Sequence, residues 1–302
     1  MSIGIFFLVF AALLVIGTPI CLVFSGMTIA PYLANHAFPY DITATVTSQL
    51  SGLDSFPLMA IPLFMLAGVI MAKGKISDRI FNMFAYFVGN KTAGLPCTVV
   101  LTCLFYGAIS GSGPATTAAV GSMCIPFLVS VGYDIIFATA LVAVAGGLGV
   151  IIPPSIPFIV YSSVAGTSVS KMFIAGVLPG CLIGLCLMIY CYIYCKIKGE
   201  DKEKLNARYQ EIRAIGFWNL LKDSIWALLT PVIILGSIYG GIASPTEAAT
   251  ISIYYALFIS LVVYKTLTIR ELPHVVMEGV KTYAPFCLLS RLQWALPGLS
   301  LA

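Results

Sequence analysis

Between Met172 and Cys195 the chain contains no Asp, Glu, Lys, Arg or His, and comparable uncharged runs recur along its length. Apolar runs of 18 or more residues read as membrane-crossing helices, because in hydrocarbon every backbone N–H and C=O must find a partner within its own segment. Long runs, as opposed to ten-residue segments of alternating polarity, exclude a β-barrel. Charge makes the same point. Only 9% of the residues are charged and 60% are hydrophobic, against about 25% charge in a soluble domain. The mean hydropathy is +1.01. The 302 residues leave room for about eight crossings of ~20 residues each. An all-α, polytopic membrane protein is expected. The net charge of +4 is spread over short connections and gives no signal for nucleic acid.

Short breaks divide the apolar sequence. Residues 3–16 and 20–33 are separated at Gly17-Thr18-Pro19, with no positive charge ahead of them to mark a cleavable leader. A polar, weakly amphipathic stretch leads to a span over 57–72. Residues 76–88 place Ile80, Phe84, Phe87 and Val88 on one face and Asp78, Arg79 and Asn82 off it. That pattern suits either a helix in the membrane interface or a loop helix packed on protein. Residues 92–131 and 133–164 are apolar runs, each interrupted near its middle. In 172–195, Gly176, Gly180 and Gly184 recur at four-residue spacing, a face for close helix packing. Residues 196–213 are strongly charged and read as an aqueous loop. Spans over 224–239 and 246–264, an amphipathic stretch over 268–281 and an apolar tail from Pro285 follow.

Lys and Arg set the orientation. With 196–213 cytoplasmic and 92–131 re-entrant, every Lys and Arg falls on the cytoplasmic side except Lys171 and the unassigned Arg291. A single crossing by 92–131 would move Lys73, Lys75, Arg79 and Lys91 outside, so charge favours re-entry. The order of residues 3–72 (span, Gly-Thr-Pro break, span, amphipathic stretch, span) begins again at Ser224, with Ala243-Ser244-Pro245 at the break. An odd number of crossings in the first copy makes the second inverted, and inverted repeats are a transporter architecture. The second copy is incomplete.

Two segments could carry chemistry. In Ser110-Gly111-Ser112-Gly113-Pro114-Ala115-Thr116-Thr117, glycines and hydroxyls interrupt an apolar run, so backbone groups lose helical partners at membrane depth. Such backbone is tolerated only inside protein or beside a watery cavity. A tip between two half-helices offers carbonyls to a cation and amides to an anion. Pro114 suits the first helical position, with Gly113 as the cap. In Gly149-Val150-Ile151-Ile152-Pro153-Pro154-Ser155-Ile156-Pro157, three prolines remove three donors and stop the helix. The freed carbonyls around Gly149, Ile151 and Ile152 suit Na⁺. Neither segment uses a charged side chain. Asp134 and Glu247 sit at helix starts, where capping or dipole stabilisation accounts for them. His36 and His274 fall in loops, and the nine cysteines form no Cys-x-x-Cys pair. No paired carboxylates, Ser/His arrangement or metal cluster appears, so an enzyme is not expected, nor any cofactor beyond an ion.

Four motifs together resemble the large membrane subunit of tripartite ATP-independent periplasmic transporters: Ser110-Gly-Ser-Gly-Pro-Ala-Thr116, Gly149-Val-Ile-Ile-Pro-Pro-Ser155, Gly52-Leu-Asp-Ser-Phe-Pro-Leu-Met-Ala-Ile-Pro62 and Ser244-Pro-Thr-Glu-Ala-Ala249. The resemblance runs from residue 1 to about 285. It implies an inverted-repeat, elevator-type fold with a re-entrant hairpin and a broken helix, in the bacterial inner membrane. It further implies sodium-coupled import of C4-dicarboxylates, sialic acids or related organic acids. A small four-helix membrane subunit and a soluble periplasmic substrate-binding protein would be the partners. On this resemblance Ser112, Gly113, Thr116 and Ser155 would bind substrate, and Ser110, Gly111, Gly149, Ile152 and Pro154 would bind sodium. The corresponding division is scaffold and arm over 1–90, transport half over 91–195, cytoplasmic loop over 196–223, start of the second repeat over 224–285, and an atypical tail over 286–302. That tail departs from the family's pattern, and a shifted frame can spell a more similar one. Truncation or frameshift after about residue 285 is therefore expected, and a non-transporting fragment that associates with the small subunit is the alternative reading.

Overall fold

The computed structural model describes residues 3–18, 22–23 and 56–293, with side chains only to residue 284 along the last helix. Most of the expected second span, residues 52–55 of the Gly52–Pro62 motif, His36 and residues 294–302 lie outside the described residues. All regular structure among the described residues is helical. Among the described residues, six stretches are long and apolar enough to cross a membrane: Phe56–Lys73, Gly113–Ser130, Ile135–Ala165, Val169–Lys198, Phe217–Tyr239 and Pro245–Val263. The chain is an all-α polytopic membrane protein.

The described residues divide into two units, one within 59–279 and one made of residues nearer the two ends. The latter contributes α1 (Ile3–Val15). It stops where sequence places the Gly-Thr-Pro break: Gly17 turns to φ +84°, and Gly17 and Thr18 donate back to Leu14 O and Leu13 O.

Within 59–279 the elements follow the breaks in the sequence. Helix α2 (Ala60–Lys73) precedes α3 (Ile76–Val88), and the first interrupted run becomes α4 (Gly94–Ser110) and α5 (Gly113–Ser130). The second run becomes α6 (Ile135–Gly146), a single turn α7 (Leu148–Ile151) and α8 (Ile156–Ala165). Asp134 caps α6 by accepting from Ile136 N–H at 3.1 Å. The long α9 (Val169–Lys198) begins at Ser168, and its glycine face packs closely: a Cβ on Gly176, Gly180 or Gly184 would meet Phe158, Ile152 or Leu104 side-chain atoms at 2.4–2.8 Å.

The charged connection is not a loop. Residues Lys202–Ala214 form α10, capped by Asp201, and bury Leu205, Tyr209 and Ile212. Three apolar side chains in an otherwise charged stretch suffice to dock it, with Tyr209 Oη donating to Tyr86 O at 3.3 Å and the Arg208 guanidinium over Phe127. Helices α11 (Phe217–Tyr239) and α12 (Pro245–Phe258) follow, and α12 continues through a π turn at Ile259–Val263. Glu247 completes a capping box with Ser244: Ser244 N–H donates to its carboxylate at 2.7 Å and Glu247 N–H to Ser244 Oγ at 3.3 Å. The amphipathic stretch becomes a short 3-10 turn, Ile269–Glu271, and helix α13 (Leu272–Gln293), which runs through the proline where a separate tail was expected.

Of the two readings for α3, the structure shows the packed one. Ile76 and Ile80 enter a core with α2, α11 and α12 residues such as Met71, Ala227 and Ala256. Phe81 and Ala85 enter a second core with α4, α5, α6, α9 and α10 residues such as Tyr106, Cys124, Leu141, Cys191 and Leu205. Phe87, expected on the apolar face, points outward. Arg79 fixes the α3 start. Its Nε donates to Asp223 Oδ1 at 2.9 Å, its guanidinium lies 3.6 Å over the Tyr264 ring, and its carbonyl accepts from Ser224 Oγ at 3.0 Å.

Candidate functional site

The tip of the α4–α5 hairpin is two residues long. Gly111 closes α4 at φ +63°, a conformation that favours glycine, with its N–H on Gly107 O at 2.9 Å. A Cβ there would lie 2.7 Å from Pro154 O, so glycine is required twice over. The helix cap falls one residue earlier than expected. Ser112, not Gly113, is extended (φ −137°, ψ 124°) and accepts from Ala115 N–H through its hydroxyl, while Gly113 is already helical. The reason is chemical: serine supplies an acceptor for an orphan amide and glycine supplies none.

The tip hydroxyls form a ring. Thr116 Oγ1 donates to Ser112 O at 2.8 Å, which leaves Ser110 Oγ to donate to Thr116 Oγ1 at 2.8 Å. Ser112 N–H reaches Ser110 Oγ at 3.4 Å. Ser110 and Thr116 are buried, whereas Ser112 is half-exposed. The oxygens that looked uncommitted in sequence therefore hold one another, and they fix the carbonyl of Ser112.

At the break, Ser155 repeats the device of Ser112: a Ser-x-Pro start, with Ser155 Oγ accepting from Phe158 N–H at 3.4 Å and donating to Val150 O at 2.5 Å. The Pro153–Pro154 peptide is cis. The chain breaks once more at Gly147, which sequence did not predict; a Cβ on Gly146 would strike Thr117 Oγ1, so the Gly146-Gly147 pair lets α5 approach.

Tip and break meet. Ile156 N–H, at the start of α8, donates to Gly111 O at 3.2 Å. A Cβ on Gly149 would lie 2.3 Å from Thr116 Oγ1 and 3.0 Å from Ser112 O, and one on Gly107 would lie 2.6 Å from Gly149 Cα. A Cβ on Gly113 would meet Val150 at 2.8 Å. Of the nine residues singled out from sequence, Ser110, Gly111, Ser112, Gly113, Thr116, Gly149 and Pro154 thus come together, and Ser155 ties to them through Val150. Ile152 stands apart in its side chain, which packs on Gly180 of α9. Sequence missed Gly107 and the Ile156 amide. The first lies in an ordinary-looking helix and the last is a backbone group without a side-chain signature.

No described Asp, Glu, Lys or Arg enters these contacts. The geometry places the N-termini of α5 and α8 and the C-termini of α4 and α7 at one locus inside an apolar helical body. Amide ends favour an anion and carbonyl ends a cation. This defines a class: a polytopic membrane permease with paired discontinuous helices. Comparison with known proteins agrees. The model of the family described as "Tripartite ATP-independent periplasmic transporter, DctM component" matches residues 7–289. The chain is 42% identical over 275 residues to an isethionate TRAP transporter permease protein of Oleidesulfovibrio alaskensis, covering 91% of this chain and 42% of the relative. It is 38% identical to a putative TRAP transporter large permease of Haemophilus influenzae, covering 94% and 65%. It is 41% identical to the C4-dicarboxylate TRAP transporter large permease of Pseudomonas aeruginosa, covering 76% and 52%. The chain belongs to the DctM family of transporter permeases, which are not enzymes, and is a multi-pass protein of the bacterial inner membrane. It spans between 42% and 65% of the length of these relatives.

Proposed function

We propose that this chain is the permease part of a sodium-coupled importer of small organic acids, working with a small membrane subunit and a periplasmic binding protein. The observation that carries this reading is the hydrogen bond from Ile156 N–H to Gly111 O, which joins hairpin tip and broken helix in one locus. A site built of helix ends, with no charged side chain among the described residues, suits a bound pair of opposite charges. An organic anion would take the amide ends of α5 and α8, with Ser112 reaching it from the tip. Sodium would take backbone carbonyls and supply the compensating charge. The buried hydroxyls of Ser110, Thr116 and Ser155 hold those carbonyls in place, and Gly149 and Pro154 give close backbone access to the tip. Relatives named for isethionate and for C4-dicarboxylate both point to small organic anions.

The test is uptake in proteoliposomes containing the permease and small subunit, with the binding protein outside. A panel of C4-dicarboxylates and small sulfonates is offered under an inward sodium gradient or an equal choline gradient. Uptake of a panel member that requires sodium is expected. Uptake indifferent to the sodium gradient would overturn the coupling, and co-purification with the small subunit without uptake of any member would favour the non-transporting reading.

A further inference from the structure

We propose that Glu200 is a clasp that locks the base of the α4–α5 hairpin and the turn before α6 to the end of α9. Glu200 lies in the short connection between α9 and α10, and its carboxylate is half-buried. It accepts from Ala93 N–H with both oxygens, at 3.0 and 3.2 Å. It also accepts from Tyr133 Oη at 2.5 Å. These donors belong to places far apart in sequence. Ala93 immediately precedes α4, and Tyr133 sits in the turn between α5 and α6. A single carboxylate therefore joins the start of the hairpin, its far end and the exit of the long helix.

The surroundings show that the position is built. Ala93 has φ +60°, a left-handed conformation that an alanine adopts only when its neighbours impose it, and the amide so presented is the one that Glu200 receives. Tyr133 leads into a stack, with its ring near Phe137 and Phe137 flat on Tyr194 of α9 at 4.0 Å. Burial first, and then the Glu200 hydrogen bond, push the Tyr133 phenol well above its ordinary range, so it stays a donor. Gly132 turns at φ +103°, and a Cβ there would come within 3.4 Å of Asp201. Hydrogen bonds to a charged acceptor are stronger than those between neutral groups, and Glu200 accepts three from two separate connections. Glu200 is a positioning residue: it acts at the base, and the tip at Gly111 and Ser112 inherits the alignment through α4 and α5.

The test uses the whole chain in detergent or nanodiscs and reads amide exchange by mass spectrometry. Glu200→Ala is compared with Glu200→Gln, Tyr133→Phe and the exposed Glu203→Gln. Exchange in peptides covering residues 90–95 and 131–136 is expected to accelerate about tenfold or more in Glu200→Ala, with peptides of α12 unchanged. Tyr133→Phe, which keeps the carboxylate, is expected to accelerate only the second peptide, and Glu203→Gln neither. Wild-type exchange at residues 90–95 in Glu200→Ala would overturn the clasp, as would acceleration spread uniformly over the chain. Should Glu200→Ala fail to fold, Tyr133→Phe and Glu200→Gln decide: unchanged exchange at 131–136 in both refutes it. The readout needs no transport, so it stands or falls separately from the proposed function.

Discussion

Replacing Gly107 by Ala tests whether the tip and the break are truly in backbone contact. The new Cβ would sit 2.6 Å from Gly149 Cα and 3.1 Å from Gly149 N, whereas carbon atoms pack at about 3.5–4.0 Å. Both neighbours are backbone, so no rotamer change relieves the clash, and α4 must part from the break by about 1 Å. Overpacking of this kind costs about 1–3 kcal/mol, and the upper end applies where no side chain can yield. Alanine returns up to about 1 kcal/mol in helix propensity, leaving a net loss of about 2 kcal/mol. At about 2–4 °C per kcal/mol for a domain of this size, the melting temperature in detergent should fall by about 4–8 °C. Gly236→Ala is the control, because nothing lies within 4 Å of its added Cβ. It should melt at or slightly above the wild type. Equal melting of the two variants would refute the reasoning.

Two further outcomes follow from burial and charge. Burial outweighs Lys75 and Arg79 in raising the Asp78 carboxyl above its ordinary value. A carboxyl raised on folding contributes stability below its ordinary value of 3.8, and that contribution is lost as pH rises through the folded value. Asp78→Asn should therefore melt higher than wild type at pH 7, with the difference closing toward pH 3 in a melting series; a difference independent of pH would contradict this. Reporter fusions after Lys204 and after Gly241 should read cytoplasmic and periplasmic respectively, from the Lys and Arg asymmetry, and a periplasmic signal at Lys204 would reverse the whole orientation.

Much of this architecture was legible because membrane helices punctuate plainly. The two-residue tip, the Pro-Pro stop and the Ser-Pro start at Ser244 each appear in sequence within a residue or two of where the chain turns. Residues 196–213 misled because charge density suggested water throughout, while Leu205, Tyr209 and Ile212 at helical spacing were enough to dock the segment. The tip illustrates a second limit. Ser110 and Thr116 read as free oxygens because sequence shows side-chain chemistry and not partners, and their mutual bonding depends on the turn that Gly111 permits. Glu200 was one acid among many charges until the fold brought Ala93 and Tyr133 to it. The chain turns at both expected breaks, Gly17 and Ser244, while residues 24–55 of the first copy fall outside the described residues.

The most direct measurement is the melting temperature of the purified chain in sodium chloride against choline chloride at equal ionic strength, for the wild type and Thr116→Val. Thr116 Oγ1 holds Ser112 O and faces Gly149, so its loss loosens the carbonyls proposed to bind the ion while keeping side-chain volume. Sodium at ten times its dissociation constant stabilises by about 1.4 kcal/mol, an increase of roughly 3–6 °C. Because each variant is its own reference, any intrinsic destabilisation by valine cancels. A sodium-specific rise in the wild type that is lost in Thr116→Val is the expected result. Identical melting of the wild type in the two salts would contradict a sodium site at the tip and break.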